Sequence, residues 1–153
     1  GGLAVDVGRR MQFLSQAIRK IYDHRRKCPA TSTTRNAGTN PSYYAATLLV
    51  LGSRFSGLVR TGTHRSALVV GFLSGTNQLL AGGQTLLVNI TDPAGEIFAL
   101  QVQPGPLARF SRPIPLVPSL CGLVIHTQAA LVSPGSFQLT NAVVLRVGLV
   151  ASP

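Results

Sequence analysis

Acidic residues are scarce in this chain. Four Asp and Glu stand against 14 Lys and Arg in 153 residues, for a formal net charge of +10. Four carboxylates leave little material for general acid–base catalysis or for a hard-metal site. Charged residues total 12%, about half the usual share. Trp is absent and aromatics make up 6%. They are scattered, with Tyr43-Tyr44 the one adjacent pair, so the aromatic-basic platform on which strand-binding proteins stack bases is missing. Two cysteines are too few for a disulfide-dense miniprotein. Long hydrophobic runs are missing too. Residues such as Ala45-Ala46-Thr47-Leu48-Leu49-Val50-Leu51 stop well short of the roughly 18–20 that a membrane-crossing helix needs. No secretory signal peptide is visible. The chain opens on Gly1 rather than Met, as expected of a processed chain or a fragment.

What is present argues for a folded domain with a basic arm. Hydrophobic residues reach 45%, too many for a disordered chain. Residues 1–27 hold seven cations and two acids, a net of +5. The other 126 residues also carry seven and two, so the first stretch is several-fold denser in charge. Met11, Leu14, Ile18 and Ile21 recur at spacings of three and four, which predicts one apolar helical face. Arg9, Arg10, Arg19, Lys20, Arg25, Arg26 and Lys27 fill much of the remainder. A basic amphipathic helix is expected over 8–27, within an arm spanning 1–28. Residues 29–42 are rich in Ser, Thr, Asn, Gly and Pro and are expected to be a linker. A β-sandwich domain is expected over 43–153.

From Tyr43 onward short apolar runs alternate with Gly, Pro, Ser and Asn, the pattern of an all-β sandwich or barrel. Strands are expected over 45–51, 54–61, 66–73, 84–90, 96–103, 107–112, 122–132 and 137–147. In the last, Phe137, Leu139, Asn141, Val143, Leu145 and Val147 share one face by period two and are expected to point inward. Asp92-Pro93-Ala94-Gly95 and Ser133-Pro134-Gly135-Ser136 are turns by their own chemistry. Pro104, Pro106, Pro113, Pro115 and Pro118 restrict their segments to edges and loops. The fold expected is a two-sheet antiparallel β-sandwich, immunoglobulin-like or jelly-roll-like, preceded by the basic helix.

Several blocks occur in a familiar order: Val50-Leu51-Gly52-Ser53, Ala67-Leu68-Val69-Val70-Gly71-Phe72 and Leu80-Ala81-Gly82-Gly83. Then follow Ile114-Pro115-Leu116-Val117-Pro118-Ser119-Leu120-Cys121-Gly122-Leu123, Thr127-Gln128-Ala129 and Leu139-Thr140-Asn141-Ala142. Residues 47–148 thereby resemble the Gly/Pro/Leu-rich C-terminal β-sandwich module of secreted and surface proteins from planctomycete- and myxobacterium-type bacteria. The resemblance implies an extracellular, non-catalytic module and carries over no catalytic residues. The basic N-terminal region departs from that family's pattern.

Candidate chemistry is sparse. No Gly-x-Ser-x-Gly elbow occurs, and His64 and His126 offer only generic pairings with a Ser and with Asp92 or Glu96. His24, Cys28, Cys121 and His126 form a Cys2His2 set by residue type. Five residues along one strand, however, put Cys121 and His126 on opposite faces unless the chain turns at Gly122. Alternatively Cys28 and Cys121 pair as a disulfide if the protein is secreted, or stay free. Asn89-Ile90-Thr91 fits the N-glycosylation pattern at a strand end. Gln128 and Asn141 read as buried amides bonding to backbone. The basic helix has three readings. It binds an anionic lipid surface, it binds nucleic acid through residues 9–27, or it packs its stripe on the sandwich or a neighbouring copy.

The function expected is a non-enzymatic extracellular or cell-surface protein with a structural or adhesive role. Its partners would be copies of itself, joined through the arm as in a fibre or surface layer, or another surface component. No cofactor or metal is expected. The alternative is a basic nucleic-acid-associated protein or a subunit of a larger particle.

Overall fold

The computed structural model describes residues 28–36 and 38–151. The helix expected over 8–27, with its stripe Met11, Leu14, Ile18 and Ile21, lies outside the described residues, as does His24. The strands are β1 (Pro29–Arg35), β2 (Tyr44–Ala46), β3 (Arg54–Arg60), β4 (Ser66–Phe72), β5 (Gly75–Leu79), β6 (Thr85–Val88), β7 (Glu96–Pro104), β8 (Leu107–Pro113), β9 (Val124–Ser133), β10 (Ser136–Arg146) and β11 (Val150–Ala151). One turn of 3-10 helix occupies Pro118–Leu120. The described chain is all-β. Its strand pairings are antiparallel apart from the short β1–β11 pair. No helix among the described residues is long and apolar enough to cross a membrane.

Six strands form the main sheet in the order β11-β1-β10-β9-β4-β7, three form a second in the order β2-β3-β8, and β5 pairs with β6. Period-two alternation explains the stacking. β3 buries Phe55 and Val59 and exposes Arg54, Ser56 and Arg60, while β8 buries Ala108 and Phe110. These inward residues meet Val69, Leu100, Ile125, Leu131, Val143 and Leu145 of the main sheet in one core. Phe55 and Phe98 bridge the two sheets at a centroid distance of 6.2 Å, a favourable tilted pair. The opposite face of the main sheet is covered by the β5–β6 ribbon, through a second cluster of Phe72, Leu86, Val88 and Leu139. With both faces covered, the middle of β10 is buried on both sides.

Two expectations are corrected. First, the proposed linker 29–42 contains β1, which runs antiparallel to β10 from Thr31 opposite Arg146 to Arg35 opposite Ala142. The domain therefore begins before Tyr43. β1 reads as a linker because only Ala30 within it is buried. Its stability comes from backbone pairing, from the β preference of its threonines and from anchors at both ends. The anchor at its start is a disulfide from Cys28 to Cys121, with Cα atoms 6.1 Å apart. At its end Arg35 donates to the carbonyls of Leu87 (3.3 Å) and Thr76 (3.1 Å). The chain closes tightly here. A Cβ on Gly148 would collide with the backbone of Pro29 and Ala30, so only glycine lets β1 pass.

Second, β10 does not keep one inward face. Its register against β9 slips between Leu139, opposite Ala130, and Ala142, opposite Gln128. Thr140 and Asn141 together face Ala129, a two-against-one bulge that swaps the sides of the strand. Leu139 thus packs in the second cluster. Val143, Leu145 and Val147 pack in the main core, and Phe137 is exposed.

Buried amides hold the bulge. Asn141 accepts from the Tyr44 N–H (3.0 Å) and donates to the Tyr44 carbonyl (2.8 Å), substituting for a neighbouring strand. Gln128 donates to the carbonyls of Thr140 (2.8 Å) and Thr85 (3.1 Å) and accepts from the Leu87 N–H (2.9 Å). Asn40 donates to the same two carbonyls, at 3.0 and 2.7 Å, and accepts from the Thr85 N–H (2.9 Å). The Tyr44 hydroxyl bonds to Thr127 Oγ1 (2.8 Å). Burial raises the Tyr44 phenol well above its ordinary value, and the Thr127 bond offsets part of that rise.

Candidate functional site

The residues weighed for catalysis do not converge. His64 lies between β3 and β4, next to Arg65, whose N–H bonds to the Val132 carbonyl. His126 stands opposite Phe72 at the other end of β4, about 20 Å away at the rise of a strand. The His126 Nδ1 is buried without a hydrogen-bond partner among the described residues. Burial first, then the nearby Arg35 charge, lowers its pKa. A Cβ on Gly75 would fall 2.6 Å from both His126 Nδ1 and the Arg35 guanidinium, so the bare backbone there leaves room for the imidazole and the guanidinium.

Asp92 is engaged in a turn. Its carboxylate accepts from the Ser74 hydroxyl and from the Ala94 N–H. These bonds, the Ser74 one first, hold its pKa below the usual carboxylate value. The Ser74 hydroxyl also accepts from Asn89 Nδ2 (3.1 Å), which orients it toward closing the loop rather than toward an imidazole. Asn89 Oδ1 accepts from the N–H and hydroxyl of Thr91. The glycosylation pattern is therefore folded into a turn with its amide nitrogen already bonded. Glu96 opens β7 and is exposed. Of the Cys2His2 set, both sulfurs belong to the disulfide, and a zinc site needs them as thiolates.

The surface offers more than these clusters. β7 ends one side of the main sheet and β8 ends one side of the three-stranded sheet. They are consecutive in the chain, joined at a corner where the Gly105 N–H bonds to the Arg65 carbonyl and the Pro106 carbonyl accepts from the Thr61 N–H. Both open onto one slot of about 350 Å³, whose walls include Gln101 and Gln103 from β7 and Arg109 and Arg112 from β8. A smaller pocket of about 160 Å³ shares Leu100 and Arg112 with the slot and is walled by Phe98, Ile114 and Pro115. Near these edges Ile97, Val102 and Leu107 are exposed.

The outer face of the three-stranded sheet is cationic. Arg54 and Arg60 project from β3, and Arg109 stands opposite Leu58 on β8. Arg54 Nε donates to Ser111 Oγ at 3.0 Å, which lays its side chain along the sheet. A groove of about 450 Å³ crosses this face over Ala45, Ser56, Leu58 and Ser111, with Arg109 in its wall. β2, β3 and β8 contain no Asp or Glu. Every cation after residue 27 is arginine, the side chain whose planar fork grips carboxylates and phosphates. The alternation Arg54-Phe55 and Arg109-Phe110 carries this face in the sequence, but the register that lines up the two strands does not follow from it.

Comparison of the chain with family models, with curated proteins and with solved structures gave no match.

Proposed function

We propose that this chain is a non-enzymatic extracellular or cell-surface module with a structural or adhesive role, built as an open sandwich of the immunoglobulin-like or jelly-roll-like kind. The observation that carries the reading is the pair of strand edges, one from each sheet, that are unpaired among the described residues and share one slot. Free edges are places where another chain adds on. The Cys28–Cys121 disulfide supports an oxidising compartment. The resemblance of residues 47–148 to surface modules points the same way. The partner is another surface component or a further copy of the chain.

Thiol alkylation before lysis, combined with protease treatment of intact source cells, tests this. The reading expects Cys28 and Cys121 to resist alkylation and the protein to be released or cleaved from outside. A reduced protein protected inside the cell overturns it.

The arginine face favours a second reading, association with nucleic acid. Arg54, Arg60 and Arg109 span about 20 Å without a carboxylate on their strands. That reading expects salt-dependent retention on DNA or RNA, with the steep log–log slope of counterion release. Retention unchanged in Arg54→Glu/Arg60→Glu/Arg109→Glu would remove the face from it.

A further inference from the structure

β7 and β8 each pair on one side only, β7 with β4 and β8 with β3. Over residues 97–103 and 107–112 no other backbone bond among the described residues reaches them. Each therefore presents a row of N–H and C=O groups that an extended chain can pair with. β7 is the longer of the two, with nine residues; its ladder to β4 shifts register between Leu100 and Gln103 and between Glu96 and Phe98, so a short stretch rather than the whole strand is the template.

Charge selects the occupant. Arg109 and Arg112 wall the slot, faced by the neutral Gln101 and Gln103. Glu96, at the start of β7, is the one carboxylate on the two strands. Two guanidiniums favour a chain that brings carboxylates, which they take bidentately. They disfavour this chain's own first 27 residues, which carry a net of +5 and would meet like charge. The adjoining pocket of about 160 Å³ is close in size to a dry cavity that holds one benzene-sized group. One apolar side chain fits there.

We propose that the slot receives an extended acidic segment of a different protein, added as a strand on the free edge of β7. Its carboxylates pair with Arg109 and Arg112, and one apolar side chain sits in the pocket beside Leu100 and Ile114. The proposal deepens the docking reading above and rests on it.

The test uses the full chain and two labelled nonapeptides, one alternating Glu and Val and ending in Leu, the other with Lys in place of each Glu. Fluorescence polarisation reads binding, and hydrogen exchange reads the amides of residues 97–103. The Glu peptide should bind and protect those amides, and the Lys peptide should do neither. In Arg109→Glu/Arg112→Glu, two exposed positions whose change should leave the fold intact, the Glu peptide should weaken by about tenfold or more and the Lys peptide should gain. Equal binding of both peptides overturns the proposal. So does binding without protection of β7, which is charge attraction alone, or displacement of the Glu peptide by an oligonucleotide that protects the same amides. Glu-peptide binding that requires deletion of residues 1–26 would assign the slot to the arm and also overturn it. If the Glu peptide fails to bind while the protein is found oxidised at the cell surface, the slot proposal falls and the surface reading stands.

Discussion

Replacing Gln128 with methionine keeps the length of a side chain that is 1% exposed and removes its three hydrogen bonds. The cost depends on what each partner has left. The carbonyls of Thr85 and Thr140 keep a donor, because Asn40 Nδ2 reaches both at 2.7 and 3.0 Å. The Leu87 N–H loses its side-chain acceptor. One buried donor left alone costs about 1–3 kcal/mol. Asn40→Leu acts in mirror image, with Gln128 keeping the two carbonyls satisfied and the Thr85 N–H orphaned, again at about 1–3 kcal/mol. The double variant strips both carbonyls of their amide donors as well. It should exceed the sum of the singles by roughly 1–3 kcal/mol. Urea unfolding followed by circular dichroism, with the disulfide kept oxidised, measures the cycle. Additivity within about 0.5 kcal/mol would show that the two amides do not share their carbonyls in solution and would refute the account of how the bulge is held.

Cys121→Ser should destabilise the domain by about 4–5 kcal/mol on the chain-entropy model, since the bridge spans a separation of 93 residues; a loss below about 1 kcal/mol in denaturant melts would contradict a formed bridge. A chain starting at Tyr43 lacks β1, Asn40 and Cys28 and should be unfolded or aggregated, and a soluble product with the parental β spectrum would refute the corrected domain boundary. His126 has a folded pKa below its ordinary value, so in the window between the two the unfolded chain binds more protons. Its contribution is complete above the ordinary value of about 6.5 and is lost as pH falls from there through the lowered pKa. His126→Gln should flatten that part of the stability–pH curve, and an unchanged slope would show that the imidazole is solvated.

Legibility followed the source of each element's stability. Strands that bury alternate side chains declared themselves: Phe55 and Val59 in β3, Ala67 and Val69 in β4, Ala108 and Phe110 in β8. β1 did not, because its order comes from pairing with β10, from Arg35 and from a disulfide whose partner is distant in sequence. β5 did not, because Gly75-Thr76-Asn77-Gln78-Leu79 is mostly polar and is held by β6. The inward face of β10 was half legible. Strict alternation places Val143 and Leu145 correctly, but a bulge leaves no mark in a run such as Leu139-Thr140-Asn141-Ala142. The polar Gln128 and Asn141 could be read as buried amides, yet their shared carbonyls with Asn40 depend on tertiary contact. The slot between β7 and β8 depends on strand order, which no local pattern encodes. The prolines gave the one hint, since Pro104 and Pro113 end these two strands and proline is tolerated at sheet edges.

We propose that this protein holds a partner at a cell surface through the edges of β7 and β8. Retention of the fluorescently labelled full chain on intact cells of its source, wild type beside Arg109→Glu/Arg112→Glu, tests it most directly. The wild type should be retained, and the variant, with unchanged circular dichroism and melting, should be washed away. Equal retention of the two proteins, or retention of neither, would contradict the proposal.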